Sequence, residues 1–266
     1  SIAGTERSLN RTRQRELAGF HSQHYVSGST VVVAAGDIRH ADLLHLAKRL
    51  AKRTPQGERS EWFPAVQQQT RPEICLYTRE MEQTQLALGI RTCSRHDPRR
   101  FALRLLNTVL GENMSSRLFQ SIREEHGLTY SIYSTPNFYH DTGSLTIAAG
   151  LDTSNTQKAL ALTMTELRRL REKAPTTSEL RRARDYLIGQ LELSLESTEN
   201  QMNWVAEQLL GFDKIIPPHQ IKDRLHEVRP SDLRRAAQDF FQPDRLCLSL
   251  VSPLKNSRHL QKWLEF

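Results

Sequence analysis

Ser115-Ser-Arg-Leu-Phe-Gln-Ser-Ile-Arg-Glu-Glu-His-Gly-Leu-Thr-Tyr130-Ser-Ile-Tyr-Ser134 changes character once, at its glycine. Residues 115–126 read as a helix, and Gly127 stands where a helix is usually stopped, just past its end. From Thr129 a strand runs to residue 139. Beyond it, His140-Asp141-Thr142 gives a hairpin signal and residues 143–150 form the returning strand. Residues 156–173 then carry Leu160, Met164, Leu167 and Arg171 at helical spacing. Thr176-Thr-Ser-Glu179 is a capping box that opens a long helix through residue 195, followed by a helix over about 199–210.

Towards the amino end, residues 101–110 read as an apolar helix, and 74–78 and 85–90 as strands. A stretch with Pro55, Gly57, Pro64, Gln67-Gln-Gln and Pro72 breaks the pattern and reads as a linker. Before it, residues 42–53 form a helix on Leu43, Leu46, Ala47 and Leu50. Residues 31–35 form a buried strand ended by Gly36-Asp37. Residues 13–25 form an amphipathic helix.

That early segment returns near the carboxyl end. Glu16-Leu17…Tyr25…Val31-Val-Val-Ala-Ala aligns without a gap on Asp232-Leu233…Phe241…Cys247-Leu-Ser-Leu-Val, with Leu17 on Leu233, an offset of 216 (233 less 17). The match continues with Leu44 on Leu260 and Leu50 on Phe266. Each copy reads helix, short turn, strand, breaker, helix. The chain therefore holds the tail of a first copy and the whole of a second.

With 266 residues, 38% hydrophobic and 25% charged, the chain has a globular profile and room for a sizeable core. Its longest apolar runs are of strand length, well short of the roughly 20 residues of a membrane span. Ser1-Ile-Ala-Gly-Thr-Glu-Arg has no apolar core of a signal peptide, although processing removes such segments. The compartment stays open: soluble, and periplasmic or cytoplasmic for a bacterial source. The net charge of +7 is spread along helices and interleaved with acids, as in Arg168-Arg-Leu-Arg-Glu-Lys. It reads as solvated helix faces rather than a nucleic-acid surface, and leaves room for a preference for acidic partners. Cys75, Cys93 and Cys247 are odd in number and far apart, with neither a disulfide framework nor a Cys-x-x-Cys pair, and read as buried free thiols.

The stretch from Ser115 to Ser134, with Ser-Arg-Leu-Phe, Arg-Glu and Gly-Leu-x-Tyr, resembles the second half of the pitrilysin/insulinase/mitochondrial-processing-peptidase family of zinc peptidases. Asp141-Thr-Gly with Gly150-x-Asp152 and the helix beginning Ser178-Glu-Leu fit the same pattern. The resemblance covers about residues 13–253. It implies a protein built of duplicated halves, in which an Arg and a Tyr seven residues apart reach from the second half towards the active site of the first. By resemblance these are Arg123 and Tyr130. Both side chains are hydrogen-bond donors, and aimed at a peptide carbonyl they would position it and stabilise its developing charge. Without the resemblance, Arg123 reads as a cation at the negative end of a helix and Tyr130 as packing at a strand start.

The chain departs from the family in one respect. Zinc hydrolysis needs two His on one helix face, a third ligand and a carboxylate base, which the family supplies as His-x-x-Glu-His with a distant Glu in the first half. No His-x-x-Glu-His occurs here. The corresponding helix of the second copy is Arg104-Leu-Leu-Asn-Thr108, without an imidazole. The expectation is no cofactor in this chain and zinc in the complementary half. His21-x-x-His24 lacks a second pair of ligands; His40 and His45 flank a helix start. Gly111-Glu-Asn-Met reads as a helix stop, and Ser115 and Ser116 have no identifiable His/Asp partner.

The architecture expected is α+β, a mainly antiparallel sheet packed by helices. Residues 1–54 are read as the closing helix–strand–helix of the first half, 55–72 as the linker and 73–266 as the complete second half without zinc. The function implied is the non-catalytic, substrate-binding half of a zinc metalloendopeptidase. Its partners are a peptide substrate and a zinc-bearing half or subunit, in a homo- or hetero-oligomer, with no nucleic acid and no membrane span. A catalytically dead structural or assembly subunit, like the core proteins of a respiratory complex, is the alternative within the family. An unrelated basic α/β binding module is the alternative outside it.

Overall fold

A computed structural model describes residues 3–266. The chain divides into two compact units, one of residues up to 64 with 194–215, the other of residues 65–193 with 216–266.

The larger unit is built on a five-stranded sheet of β1 (Glu73–Thr78), β2 (Gln83–Thr92), β3 (Thr129–Phe138), β4 (Gly143–Asp152) and β5 (Leu246–Ser252), in the order β1-β5-β2-β4-β3. Only the β1–β5 pairing is parallel; the other three are antiparallel. Burial alternates along β2, β4 and β5, with Leu86, Leu88, Ile90, Leu145, Ile147, Leu246, Leu248 and Leu250 all buried. That period of two means one covered face, as expected of an antiparallel sheet packed on one side. The cover is α4 (Arg100–Asn107), α5 (Thr156–Glu172), α6 (Thr177–Ser194), α8 (Pro218–Glu227) and α9 (Pro230–Phe240), which contribute Leu103, Leu106, Leu160, Leu167, Leu187, Leu225, Leu233 and Phe240 to the core. Each such side chain taken out of water contributes about 1.5–3 kcal/mol. The α+β architecture expected from the sequence is the one observed.

The capping box opens α6 as read. The Thr176 N–H donates to the Glu179 carboxylate at 2.7 Å, and the Glu179 N–H donates to Thr176 Oγ1 at 3.1 Å. Thr176→Ala removes one of these bonds and should cost about 1 kcal/mol in a urea titration.

The smaller unit contains α1 (Glu6–Arg11), α2 (Gln14–His24), α3 (His40–Ala51) and α7 (Thr198–Phe212). Arg59 ties residues 55–64 to the end of α7, reaching the Asp213 carboxylate and the Leu210 carbonyl, each at 2.9 Å. Nearby, the N–H groups of Ser27 and Gly28 donate to the carbonyls of Pro55 and Gly57, each at 3.0 Å.

The helix and turn of the repeat recur in the structure at the same offset. Helix α2 shifted by 216 is α9, bound for bound. Both are capped alike: the Arg13 N–H donates to Glu16 at 2.8 Å, and the Arg229 N–H to Asp232 at 2.9 Å. Both close alike, with the N–H groups of Tyr25 and Phe241 donating to the carbonyls of His21 and Ala237, each at 2.9 Å. A 3-10 turn follows in each, Ser27–Ser29 and Pro243–Arg245.

Two readings are corrected. Residues 31–35 are not a buried strand: they are unpaired and half-buried to exposed, although their counterpart β5 lies inside a sheet. The described residues of the smaller unit contain no strand for them to pair with, and a strand is maintained by its ladder. Cys75 is exposed, because it lies on the uncovered face of the edge strand β1. Cys247 is half-buried and only Cys93 is buried; all three are free thiols. Burial pushes the Cys93 thiol up to about 11.

Candidate functional site

Residues 115–134 place the two predicted donors by two local irregularities. The first is helical. After the α-turn at Arg117 and Leu118 the chain winds as a π-helix over Phe119–Glu125, a form that concentrates at functional sites. Its end is closed by the Gly127 N–H donating to the Arg123 carbonyl and the Leu128 N–H to the Ile122 carbonyl, each at 3.0 Å. Gly127 has φ +60°, a left-handed value that glycine adopts without a Cβ penalty. Arg123 is exposed. Its guanidinium lies 4.7 Å from the centre of the Phe119 ring, with Nε 3.7 Å from the Glu124 carboxylate.

The second irregularity is in the sheet. β3 pairs Thr129 with Leu151 and then Ser131 with Gly150, so Tyr130 is the extra residue of a β-bulge. The Thr129 hydroxyl stands in for the disturbed ladder. It reaches the carbonyls of Gly150 at 2.5 Å and Ser131 at 2.9 Å, and accepts the Ser131 N–H at 3.0 Å. Freed from the alternation, Tyr130 is 87% exposed, while Leu128, Thr129 and Ile132 around it are buried. His126, Gly127 and Leu128 are the whole connection between the π-helix and β3.

The platform beneath is held by ionic contacts that sequence reading missed. Arg117 donates from Nε to Glu179 at 2.9 Å and lies 3.9 Å from Glu166, a buried carboxylate of α5 that also accepts from Arg169 at 2.6 Å. One guanidinium thus bridges two helices at the start of the motif. Burial raises the Glu179 carboxyl pKa, but Arg117 and the Thr176 N–H outweigh it and hold the group below its usual value. A depressed folded pKa gives stability that is present above the unfolded value and lost as pH falls through the folded one. The urea midpoint should therefore fall on acidification from about pH 7 to about pH 3.5, and Glu179→Gln should flatten part of that fall.

The helix read as the counterpart of the family's zinc-binding one is α4 with its continuation, a π-turn over Thr108–Glu112 within which the Gly111 backbone is non-helical. In that reading Arg104, Asn107 and Thr108 stand at the first, fourth and fifth places of the motif. All three converge on Glu112, at 2.8 Å from Arg104, 3.2 Å from Asn107 and 2.6 Å from Thr108. A guanidinium, an amide and a hydroxyl committed to one carboxylate do not suit a zinc ion, which takes imidazole, thiolate and carboxylate. Among the described residues no group of three or more His, Cys, Asp or Glu is arranged to hold a metal. His21 stacks on Tyr25, with ring centres 4.5 Å apart, and His24 Nδ1 lies 3.1 Å from Ser60 Oγ. Ser115 lines a shallow cleft with Glu179, Arg182 and Tyr186, and Ser116 is buried. Among the described residues no helix is long and apolar enough to cross a membrane.

Known proteins similar to this chain place its family and its fold. The family model for the peptidase M16 inactive domain matches residues 13–187. An uncharacterised zinc protease of Streptomyces coelicolor is 30% identical over 263 residues, covering 97% of this chain and 57% of that protein. One from Bacillus subtilis is 32% identical, covering 96% of this chain and 61% of that protein. The chain thus spans about three fifths of the length of these curated relatives. Among solved structures, the peptidase M16 inactive domain from Pseudomonas fluorescens superposes with a TM-score of 0.85 at 21% identity, covering 94% of this chain and 60% of that one. A chain in the structure of complex III2 from Candida albicans gives 0.82 at 15% identity, covering 99% and 65%. Both likenesses are of fold. On the family match, the chain belongs to the peptidase M16 family as its inactive domain.

Proposed function

We propose that this chain is the substrate-holding half of a zinc metalloendopeptidase, acting on peptides or unfolded segments beside a half that carries the zinc. The observation that supports it most is the bulge at Tyr130. Bulges recur beside active sites, where they re-aim a side chain, and this one turns the Tyr130 phenol into solvent. Arg123 stands six residues before β3 begins, on the π-helix, with its charge exposed. Together they offer a charged donor and a neutral one to a carbonyl oxygen, which orients a peptide bond and favours the oxygen as it gains negative charge. No step of bond cleavage runs through the cluster at Glu112.

The test is peptidase activity and zinc content of this chain, alone and then mixed with a subunit carrying His-x-x-Glu-His. An inert, metal-free chain that supports zinc-dependent cleavage in the mixture agrees with the proposal. Zinc binding and cleavage by the chain alone would refute it. A mixture that assembles and stays inert favours the structural-subunit reading.

A further inference from the structure

At the end of the sheet away from Tyr130, where the β3–β4 hairpin turns, the segment between β2 and α4 meets α8. Arg95 fastens that segment to the hairpin: its N–H donates to the Tyr139 carbonyl at 2.9 Å and its guanidinium to the Phe138 carbonyl at 3.0 Å. Asp97 accepts the Arg99 N–H at 2.8 Å and so fixes the start of α4. On the other side, Arg184 of α6 holds the end of α8 through the carbonyls of Leu225 and Val228, at 3.1 and 2.9 Å. Both walls are thus held in place by the larger unit itself.

Between them lies a cleft of about 420 Å³ with an apolar lining of Pro98, Phe101, Ile216 and Ile221. That is the size and character of a ligand site, apolar with a few convergent polar groups. The polar groups here are mostly cations. The guanidiniums of Arg100 and Arg224 both stand over the Phe101 ring, 4.6 and 5.7 Å from its centre. His96 adds a third base to the lining, and Asp223 is its acid. The neighbouring Arg99 is different, since Asp97 and Asp239 neutralise it at 2.6 and 2.9 Å. Arg224 reaches Glu227 at 2.8 Å, but both side chains are half exposed, and such a pair contributes little. Arg100 is half-buried and donates to the Arg95 carbonyl. Burial disfavours its charge and the cations of Arg224 and Arg95 add to that, against the opposing influence of Cys93 and Asp97, so its pKa is held below the usual value. A cation in that setting gains from an anion brought to it, and gains more than it would in open water.

We propose that this cleft binds an acidic peptide segment, with a carboxylate against Arg100 and Arg224 and a neighbouring apolar side chain on Phe101 and Ile221. Guanidinium forks suit a carboxylate, which takes two parallel bonds from one fork. The apolar lining selects a peptide over a bare anion, which would leave it unused. The cleft lies at the far end of the sheet from Arg123 and Tyr130, and the inference does not rest on the peptidase reading.

The experiment is calorimetric titration of the whole chain with three probes: N-acetyl-Leu-Glu-Leu-Glu with a free carboxyl end, its amidated counterpart with glutamine for glutamate, and inorganic phosphate. The expected result is binding of the acidic peptide at one site and none of the neutral one. Arg224→Gln and Arg100→Gln should each weaken it by about tenfold or more, the loss of one charged hydrogen bond. Ile221→Ser should weaken the acidic peptide and leave phosphate unaffected. Arg181→Gln, which removes the same charge from an exposed position on α6, should change nothing. Should Arg100→Gln lower the melting temperature, Arg224→Gln, at a half-exposed side chain, decides. The inference is overturned if the acidic peptide does not bind, or if the neutral peptide binds equally well. It is also overturned if Arg181→Gln weakens binding as much as Arg224→Gln, which would mean attraction to net charge alone. Phosphate that displaces the peptide at equal concentration, with Ile221→Ser without effect, would make the cleft a plain anion site and overturn it too.

Discussion

Replacing Arg123 by alanine is expected to lower kcat of the assembled peptidase by about 10²–10³, the cost of losing one well-placed donor to an oxyanion. The guanidinium is charged, so its bond to the carbonyl strengthens as the oxygen gains charge, and the loss falls on kcat more than on KM. Tyr130→Phe deletes only a hydroxyl on an exposed ring and should cost roughly tenfold to 10², with the double variant far from additive, since in the proposed arrangement both donors serve one atom. Neither change should move the melting temperature measurably. Arg123 is exposed, and its contacts with Glu124 and the Phe119 ring are surface interactions each worth under about 1 kcal/mol. Arg123→Lys keeps the charge but not the fork and should recover part of the rate. Wild-type kcat in Arg123→Ala would mean that the pair never meets the reacting carbonyl. In a purely structural subunit, assembly would be the property to follow, and it would be unaffected.

The largest loss of stability should come from Gly143→Ala. A Cβ at Gly143 would fall well inside contact distance of the Cys93 carbonyl, 2.8 Å from Thr92 Oγ1 and 2.9 Å from the Asn137 carbonyl. Two of those three neighbours are backbone, on the strand ends to either side, so no rotamer change relieves the overlap. β4 would have to part from β2 or β3 where their ladders end. The expected cost is about 3 kcal/mol or more, at the upper end of overpacking, with a fall in Tm of roughly 6–12 °C. Gly189→Ala is the control. It lies within α6 with nothing near its missing Cβ, and should stabilise by about 0.5–1 kcal/mol. Equal, small effects at both positions would mean that the hairpin end is not packed as described.

Much of this was legible in the sequence because the sheet is covered on one face only. Burial of every second residue in β2, β4 and β5 is the pattern that marks them as strands. The long helices were legible through their spacing and caps. Helix α8 escaped because it is short and polar, with Ile221 and Leu225 its only apolar pair four apart. Residues 31–35 read as a strand from their apolar run and are unpaired in the structure, because pairing is a property of a neighbour and is not written in the segment. The site was legible as two residue types seven apart. Its geometry was not, since a π-turn and a bulge each add one residue to a regular pattern, and both are settled by packing. The cluster at Glu112 went unread although Arg104, Thr108 and Glu112 stand four apart on one helical face; with imidazole as the object of the search, the carboxylate that gathers them carried no signal.

The near-absence of buried side chains before residue 65 has a thermodynamic consequence. Unfolding absorbs heat and raises heat capacity in proportion to the surface it exposes, at about 0.7 kcal/mol per residue near 60 °C for an ordinary globular chain. A segment that keeps Leu17, Phe20, Tyr25 and Val32 in water has little more to expose. The calorimetric enthalpy of the chain is expected to fall short of what 266 residues would ordinarily give, and the shortfall measures how little surface the residues up to 64 take out of water.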